Sequence, residues 1–275
     1  MNENELIEKS REYKLRKSNQ ITFGSRYNYT VDEQKTITYI CSLIDTTSEK
    51  PELEYIFDIR DFCRSCGIDY KNGKVYEYVR NILKGLVQKV MILESSEGKR
   101  TTVNWIQKVW ADKCTGKAKI RLDEDMIPYL FELKTYYADC KLNEILCMKS
   151  RFSIRLHEIL KAYHDMKIGQ TDHRSFGEKA MLPKIVSWTV DVDELKKKLR
   201  VENIPSYSQF GLFRTKVLEP AHKEINAFTE IIVFFEPIST GRKITHVKFG
   251  IVSKDMVEKF KSATKAEEKA GLSGK

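Results

Sequence analysis

The feature that most constrains the fold of this chain is an order of predicted elements that occurs twice. In each half, a helix is followed by a short strand, a short helix, a turn, a longer helix and a β-hairpin. Phe57–Phe62 (FDIRDF) in the first half corresponds to Val190–Leu195 (VDVDEL) in the second. The apolar stripes of the longer helices also correspond, Val75, Tyr78 and Ile82 matching Phe210, Phe213 and Val217. The match lies in pattern more than in residue identity, and each half ends in a hairpin with basic residues at its turn.

Local signals support this order in the first half. Thr30–Glu33 (TVDE) has the form of a capping box, in which a hydroxyl and a carboxylate satisfy free N–H groups at a helix start. Val90–Leu93 predicts a strand, and Ser95–Arg100 (SSEGKR) predicts a turn or wing. Thr102–Trp110 and Lys119–Leu122 are expected to pair back onto that strand. The order is that of a winged helix, so the sequence predicts an α+β fold of two tandem winged-helix domains, each a helix-turn-helix plus a β-hairpin wing.

The predicted boundaries follow the polar stretches of the chain. We expect a flexible N-terminal arm over residues 1–27, a first winged-helix domain over 28–137, a second over 138–253 and a C-terminal tail over 254–275. The N-terminus lacks the apolar segment of a secretory signal, and no stretch is apolar enough to span a membrane. A cytoplasmic protein with six reduced cysteines is therefore expected. Cys63-Arg-Ser-Cys66 has no second cysteine pair at zinc-site spacing, so no metal is predicted.

The charge of the chain favours a polyanionic partner without identifying it. There are 48 Lys and Arg residues against 39 Asp and Glu, a net charge of +9. Such an excess raises the expectation of nucleic acid or of an anionic membrane surface. It is also common in proteins with neither partner.

The segment from 208 to 228 predicts a helix suited to the DNA major groove. Its apolar stripe runs from Phe210 to Phe228, with Pro220 predicting a kink or two abutting helices. A recognition helix exposes polar groups near its N-terminus, where Gln pairs with adenine and Arg with guanine. The predicted base-facing set is Ser206, Tyr207, Ser208, Gln209, Arg214, Thr215 and His222. Predicted phosphate contacts are Lys216 and Lys223, with Arg242 and Lys243 in the wing reaching a phosphate or the minor groove.

An ordinary amphipathic helix with a solvated polar face fits the same residues about as well when that helix is taken alone. The basic hairpin turn and the preceding short helix favour DNA binding. The first half has Lys74, Tyr76, Arg80 and Lys84 at the corresponding positions. This set lacks Gln, so we expect backbone contacts or a dimer surface there.

Three segments resemble the signatures of Rep_3-type plasmid replication initiators, in the family's order. They are Leu142–Lys161 (LNEILCMKSRFSIRLHEILK), Phe213–Asn226 (FRTKVLEPAHKEIN) and Gly241–Phe249 (GRKITHVKF). The resemblance extends over roughly residues 30–252. His157 stands where the family often has tyrosine, which should alter local packing only.

The resemblance implies tandem winged helices that bind repeated origin sites, called iterons, as monomers and help to melt adjacent DNA. It also implies dimers that repress their own gene, base readout mainly by the second domain, and a host replication initiator and replicative helicase as partners.

Catalysis and cofactors are not predicted. The five histidines form no His-hydrophobic-His metal motif, and no GxxxxGK[ST] loop for ATP occurs. Asp123, Glu124 and Asp125 are consecutive and so point in different directions on a helix. Three hypotheses follow: an origin-binding initiator, a winged-helix transcriptional repressor without a replication role, and a DNA-cleaving enzyme, which these absences disfavour.

Overall fold

A computed structural model describes residues 14–46, 51–69, 74–94, 99–131, 137–169 and 184–272. The first half contains, in chain order, β1 (Lys14–Ser18), α1 (Asn19–Gly24), β2 (Ser25–Arg26), α2 (Val31–Ser42), β3 (Glu54–Asp58), α3 (Ile59–Cys66), α4 (Val75–Gln88), β4 (Val90–Glu94), β5 (Arg100–Asn104), β6 (Ile106–Asp112), β7 (Lys117–Leu122), a 3₁₀ turn (Glu124–Met126) and α5 (Ile127–Leu130).

The second half begins with β8 (Tyr137–Lys141), α6 (Leu142–Cys147) and α7 (Arg151–Gly169). It continues with β9 (Val186–Asp191), α8 (Val192–Lys198), a 3₁₀ turn (Pro205–Ser208), α9 (Phe210–Phe213), a π-helical turn (Arg214–Leu218), α10 (Glu219–Phe228), β10 (Ile231–Thr240), β11 (Lys243–Ser253) and α11 (Lys254–Leu272).

The two halves have the same sheet topology, which confirms two tandem winged helices in an α+β fold. In the first unit β3 pairs with β7, and β7 pairs with β6. In the second unit β9 pairs with β11, and β11 pairs with β10. An aspartate caps the short helix that follows the first strand of each sheet. Asp58 accepts the N–H of Arg60 at 2.7 Å, and Asp191 accepts the N–H of Asp193 at 2.8 Å.

The wing of the first unit differs from the one predicted. Val90–Glu94 pairs with Arg100–Asn104 on one side and with β2 on the other, in a sheet separate from that of β3, β7 and β6. The hairpin that corresponds to the second unit's wing is β6–β7 instead, with its turn at Lys113–Gly116. The strand expected over 102–110 is interrupted because Trp105 turns into the core, where it is 3% exposed. Of the predicted turn at Ser95–Arg100, residues 95–98 lie outside the described residues.

The N-terminal segment differs from the expected flexible arm over 1–27 from residue 14 onward. β1 pairs antiparallel with β8, from Lys14 opposite Lys141 to Ser18 opposite Tyr137. Ile21 of α1 is 2% exposed, so burying its side chain helps to fix the segment in place. Residues 1–13 lie outside the described residues.

Helix α7 joins the two halves through buried charges. Glu158 contacts the ammonium of Lys17 and accepts the hydroxyl of Tyr27 at 3.0 Å. Arg155 donates to the carbonyl of Ser25 at 2.7 Å. Burial alone would raise the pKa of Glu158, but Lys17 and Arg155 overcome it and hold that pKa below its usual range. The carboxylate therefore stays ionised, and the segment that precedes α2 is held against the helix that leads into the second unit.

His157, where the resemblance led us to expect tyrosine, is fully buried in the same helix. Its Nε2 lies 3.6 Å from Oε2 of Glu144. Burial lowers the pKa of His157 to about 4. Burial, aided by the Glu230 carboxylate, raises the pKa of Glu144 to about 7. At neutral pH the imidazole is thus uncharged, and the contact is not an ion pair.

The recognition segment of the second unit is one helical run with an expanded turn. A π-helical turn over Arg214–Leu218 joins α9 to α10. Pro220 lies in the first turn of α10, where its missing N–H is tolerated. An expanded turn also relieves the crowding between a proline ring and the preceding turn. The break expected at Pro220 is therefore absorbed within the helix.

Candidate nucleic-acid interface

The start of the recognition segment presents small polar side chains to solvent. Ser206, Ser208 and Gln209 are exposed. The Ser208 hydroxyl donates to the Pro205 carbonyl at 2.7 Å, which holds the 3₁₀ turn. Tyr207 is half-buried, with its ring 6.3 Å from that of Phe213. Its ring therefore helps to fix the turn against the core, while Ser206 and Gln209 stay exposed for polar contacts.

The π-helical turn positions the central predicted residues. Arg214 is half-exposed, and its Nε donates to Oε1 of Glu219 at 2.9 Å. A guanidinium in an exposed pair of this kind is pre-oriented and exchanges its partner at little cost. The Thr215 hydroxyl donates to the Gly211 carbonyl at 3.1 Å. Lys216 and Lys223 are exposed, as phosphate contacts require.

His222 faces the hairpin more than the solvent. Its ring packs edge-on against Phe235, with centroids 5.8 Å apart. Its Nε2 lies 3.0 Å from Nδ2 of Asn226. Its predicted contact with a base stays a prediction, and packing against the hairpin is the role visible in the fold.

The wing ends in a tight turn that exposes two cations. Gly241 has φ +63°, a left-handed conformation that residues with a side chain rarely adopt. Thr240 pairs with Lys243 across the turn. Arg242 and Lys243 are both exposed. Glycine thus allows the short turn that places two adjacent basic residues at the end of the hairpin.

The 3₁₀ turn at Pro205–Ser208 and the turn of the wing border one cleft of about 860 Å³. Tyr207 and Ser208 line one side, and Arg242 and Lys243 line another. Lys196 and Lys197 of α8 also line it, and sequence reasoning missed them although the run Lys196–Lys198 follows a predicted helix start. Asp191 lies in the same cleft, where the N–H groups of Glu194 and Asp193 hold the pKa of its carboxyl below its usual range. The structure therefore brings together the predicted helix start and the predicted wing.

The first unit has a smaller cleft of about 160 Å³ at the corresponding place. It is bordered by Tyr76 of α4, by Arg60 of α3 and by Lys113 and Thr115 of the β6–β7 turn. Lys113 was missed because the wing was placed one hairpin too early.

The other predicted residues of the first unit lie along α4. Lys74, Arg80 and Lys84 are exposed. Arg80 pairs with Glu77 at 3.2 Å. The corresponding surface of this unit is thus basic but poorer in small polar groups than that of the second unit.

A metal-binding cluster and a membrane-spanning helix are both absent from the described residues. No group of three or more His, Cys, Asp or Glu side chains is arranged to hold a metal ion there. Within the same residues, no helix combines the length and apolar character needed to cross a membrane.

Comparison with known proteins agrees with this architecture. The family model "Initiator Replication protein, WH1" matches residues 14–161, and "Initiator Rep protein, WH2" matches residues 191–251. The boundary expected at 137/138 is not decided by these ranges and stays a prediction. A "Replication initiation protein" of Escherichia coli is 24% identical over 220 residues, 78% of this chain. The chain spans 62% of that relative's length.

A solved structure is similar over almost the whole fold. The Pi initiator protein, crystallised in complex with iteron DNA, superposes with a TM-score of 0.69 at 19% identity. The match covers 89% of this chain and 98% of the other. Together the two family models match well over half of the sequence, in the order WH1 then WH2. The chain therefore belongs to the Initiator Replication protein family.

Proposed function

We propose that this protein initiates plasmid replication by binding repeated double-stranded origin sites, iterons, and by promoting opening of the adjacent DNA. The observation that carries the proposal is the single cleft shared by the start of the recognition segment and the basic wing turn. A helix end and a wing on one surface reach the major groove and the neighbouring backbone together. The similarity to an initiator crystallised with iteron DNA supports the same reading.

Each part of the interface has a distinct role in this proposal. Gln209 pairs with adenine and Arg214 with guanine, because their planar groups match those base edges. Lys216 and Lys223 contact phosphates, which set affinity and register but carry little sequence information. Arg242 and Lys243 reach a phosphate or the minor groove. The first unit, through Lys74, Tyr76, Arg80 and Lys84, contacts the DNA backbone or a second copy.

The proposal includes assembly and partners that the family resemblance implies. A dimer represses its own gene, and a host replication initiator and replicative helicase act with the monomer at the origin. Binding and DNA distortion supply the activity, without catalysis or a cofactor. The expected cytoplasmic location also stays a prediction.

DNase footprinting of the full chain on the DNA upstream of its gene tests the proposal. Protection of tandem direct repeats spaced by about two helical turns, roughly 20 base pairs, is expected for an initiator. Protection of one inverted repeat alone would favour the transcriptional repressor instead. Metal-dependent nicking of the same DNA by the purified protein would contradict the absence of catalysis.

A further inference from the structure

The sheet of the first unit has one face in the core and one in solvent. Ala118, Ile120 and Leu122 of β7 are buried on the inner face. On the outer face, Lys119 pairs in register with Ile56 of β3 and with Trp110 of β6. Ile56 is 64% exposed and Trp110 is 38% exposed. A row of two large apolar side chains with a lysine between them is thus left in solvent.

Cations surround the exposed indole. The Nζ of Lys108 lies 4.7 Å from the centre of the Trp110 ring, and that of Lys119 lies 5.1 Å from it. Lys117 and Arg121 alternate with buried residues on β7 and so share the outer face. Trp110 thus stands in a cluster of basic side chains, where cation–π attraction holds lysines near its ring.

Part of this charge is not neutralised within the chain. Glu54 pairs with Lys119 at 2.7 Å and with Arg121 at 3.7 Å. Within the part of the chain that the structure describes, Lys108 and Lys117 form no ion pair. The face therefore combines a partly exposed indole ring, which the flexible side chains of Lys108 and Lys119 approach, with uncompensated positive charge.

The second unit shows that the fold does not require such a row. At the corresponding register, Lys248 pairs with Thr189 of β9 and Glu236 of β10. Lys248 and Glu236 form an ion pair at 3.1 Å. The same position in the same topology is thus polar and charge-balanced, and the apolar, basic row is particular to the first unit.

We propose that this outer face, formed by Ile56, Lys108, Trp110, Lys117 and Lys119, binds single-stranded nucleic acid. A base stacks on Trp110, and the lysines contact the flanking phosphates, which is how strand-binding surfaces work without reading sequence. In a duplex the bases are already stacked and paired, so their faces are closed to the indole. An acidic peptide would satisfy the lysines but would leave the indole plane without a planar partner. The proposal rests on this face and not on the iteron-reading surface of the second unit.

Fluorescence anisotropy of a labelled 20-nucleotide oligo-dT, titrated with the full chain, tests the assignment. We expect saturable binding, quenching of tryptophan emission, and affinity about tenfold weaker for Trp110→Ala. Phe234→Ala removes a similarly exposed aromatic, 47% exposed, from the outer face of the other sheet and is the matched control. It should bind oligo-dT like the wild type. The double variant Lys108→Ala/Lys117→Ala should lower the steepness with which log affinity falls against log salt concentration, the salt slope, by about 1.4. This value is two phosphate contacts at roughly 0.7 each on a single strand.

Trp110→Leu keeps apolar bulk and removes the stacking plane, so it replaces Trp110→Ala if thermal unfolding shows that the alanine variant does not fold. The affinity of the Trp110 variants for a mixed-sequence 20-base-pair duplex should stay within twofold of the wild-type affinity. An equal loss on duplex and oligo-dT would overturn the proposal, because the face would then belong to the duplex interface. Unchanged oligo-dT affinity in the variants would also overturn it, as would failure of the wild type to bind oligo-dT while a polyglutamate peptide binds.

Discussion

Replacement of Asn226 by alanine should remove two hydrogen bonds between the recognition helix and the wing and so destabilise the fold. β10 lies at a free edge of its sheet, where Val233 would present an unpaired N–H and carbonyl. Asn226 satisfies both groups: its Oδ1 accepts the Val233 N–H at 2.7 Å, and its Nδ2 donates to the Val233 carbonyl at 2.9 Å. The side-chain amide thus takes the place of a neighbouring strand and ties α10 to the hairpin.

The expected cost follows from what remains after the change. Val233 is 1% exposed, so water reaches its backbone groups poorly. A hydrogen bond contributes about 1 kcal/mol net, and a buried group left without a partner costs about 1–3 kcal/mol. Asn226→Ala leaves two such groups, and we expect it to lower the free energy of unfolding by about 2–4 kcal/mol. Asn226→Asp keeps the acceptor and loses the donor, so it should cost less at neutral pH.

Urea denaturation followed by circular dichroism measures both changes, provided that the slope of the unfolding free energy against urea concentration is the same in the variants and the wild type. The deficit of Asn226→Asp should shrink below about pH 4, because a protonated carboxyl regains a donor for the Val233 carbonyl. Asn203→Ala, at an exposed position of a turn in the same unit, should stay within about 0.5 kcal/mol of the wild type. An Asn226→Ala cost as small as that of Asn203→Ala would refute the reasoning.

Further predictions concern DNA contacts and buried charge. Arg214→Ala should relax base preference in footprints, whereas Lys223→Ala should weaken all duplexes alike and lower the salt slope by about one; unchanged footprints with Arg214→Ala would contradict its placement in the groove. Glu158→Ala should lower the free energy of unfolding by about 3–5 kcal/mol in urea titrations, because Lys17 and Arg155 would stay buried without their carboxylate; a cost below 1 kcal/mol would show that water reaches them. Because the folded-state pKa of Glu144 is raised to about 7, its contribution to stability is present at acid pH and is lost as pH rises from about 4.5 to 7. Glu144→Gln should remove that part of the pH dependence. If the free energy of unfolding of the variant changes with pH as that of the wild type does, the assignment to Glu144 is wrong.

The sequence predicted those features that depend on local chemistry. The capping box at Thr30 is present, with its Oγ1 accepting the Glu33 N–H at 3.2 Å and Glu33 accepting the Thr30 N–H at 2.8 Å. Val90–Leu93 is a strand as predicted. These features were predictable because neighbouring residues alone decide them.

The features that were missed depend on contacts distant in sequence. The pairing of β1 with β8 joins residues more than a hundred positions apart, and a polar, basic strand gives no sign of it. The first wing was misplaced because the pattern does not show that the Trp105 side chain enters the core. The two halves could still have been aligned further: Asp58 and Asp191 correspond, and extending that register would have placed the wing at β6–β7.

The expanded turn of the recognition segment did leave a signal in the sequence. Phe213, Val217, Ala221 and Ile225 are all fully buried, yet they recur at three successive intervals of four. Each interval of four overshoots a 3.6-residue turn by about 40°, so three overshoot by roughly the angle of one residue. The π-helical turn absorbs one additional residue and so cancels most of that drift, which keeps the four side chains on one line of the helix.

That additional residue behaves as an insertion within a continuous helix. Downstream of the π-helical turn over Arg214–Leu218, every side chain occupies the angular position that its predecessor would have in an uninterrupted α-helix. Phe213 and Ile225 therefore lie within about 20° of each other around the helix axis, whereas a standard helical wheel separates them by about 120°. Removing one residue of the turn together with Pro220→Ala would convert the segment to a regular helix while preserving both faces. Insertions or deletions of other lengths would rotate one face out of register with the other.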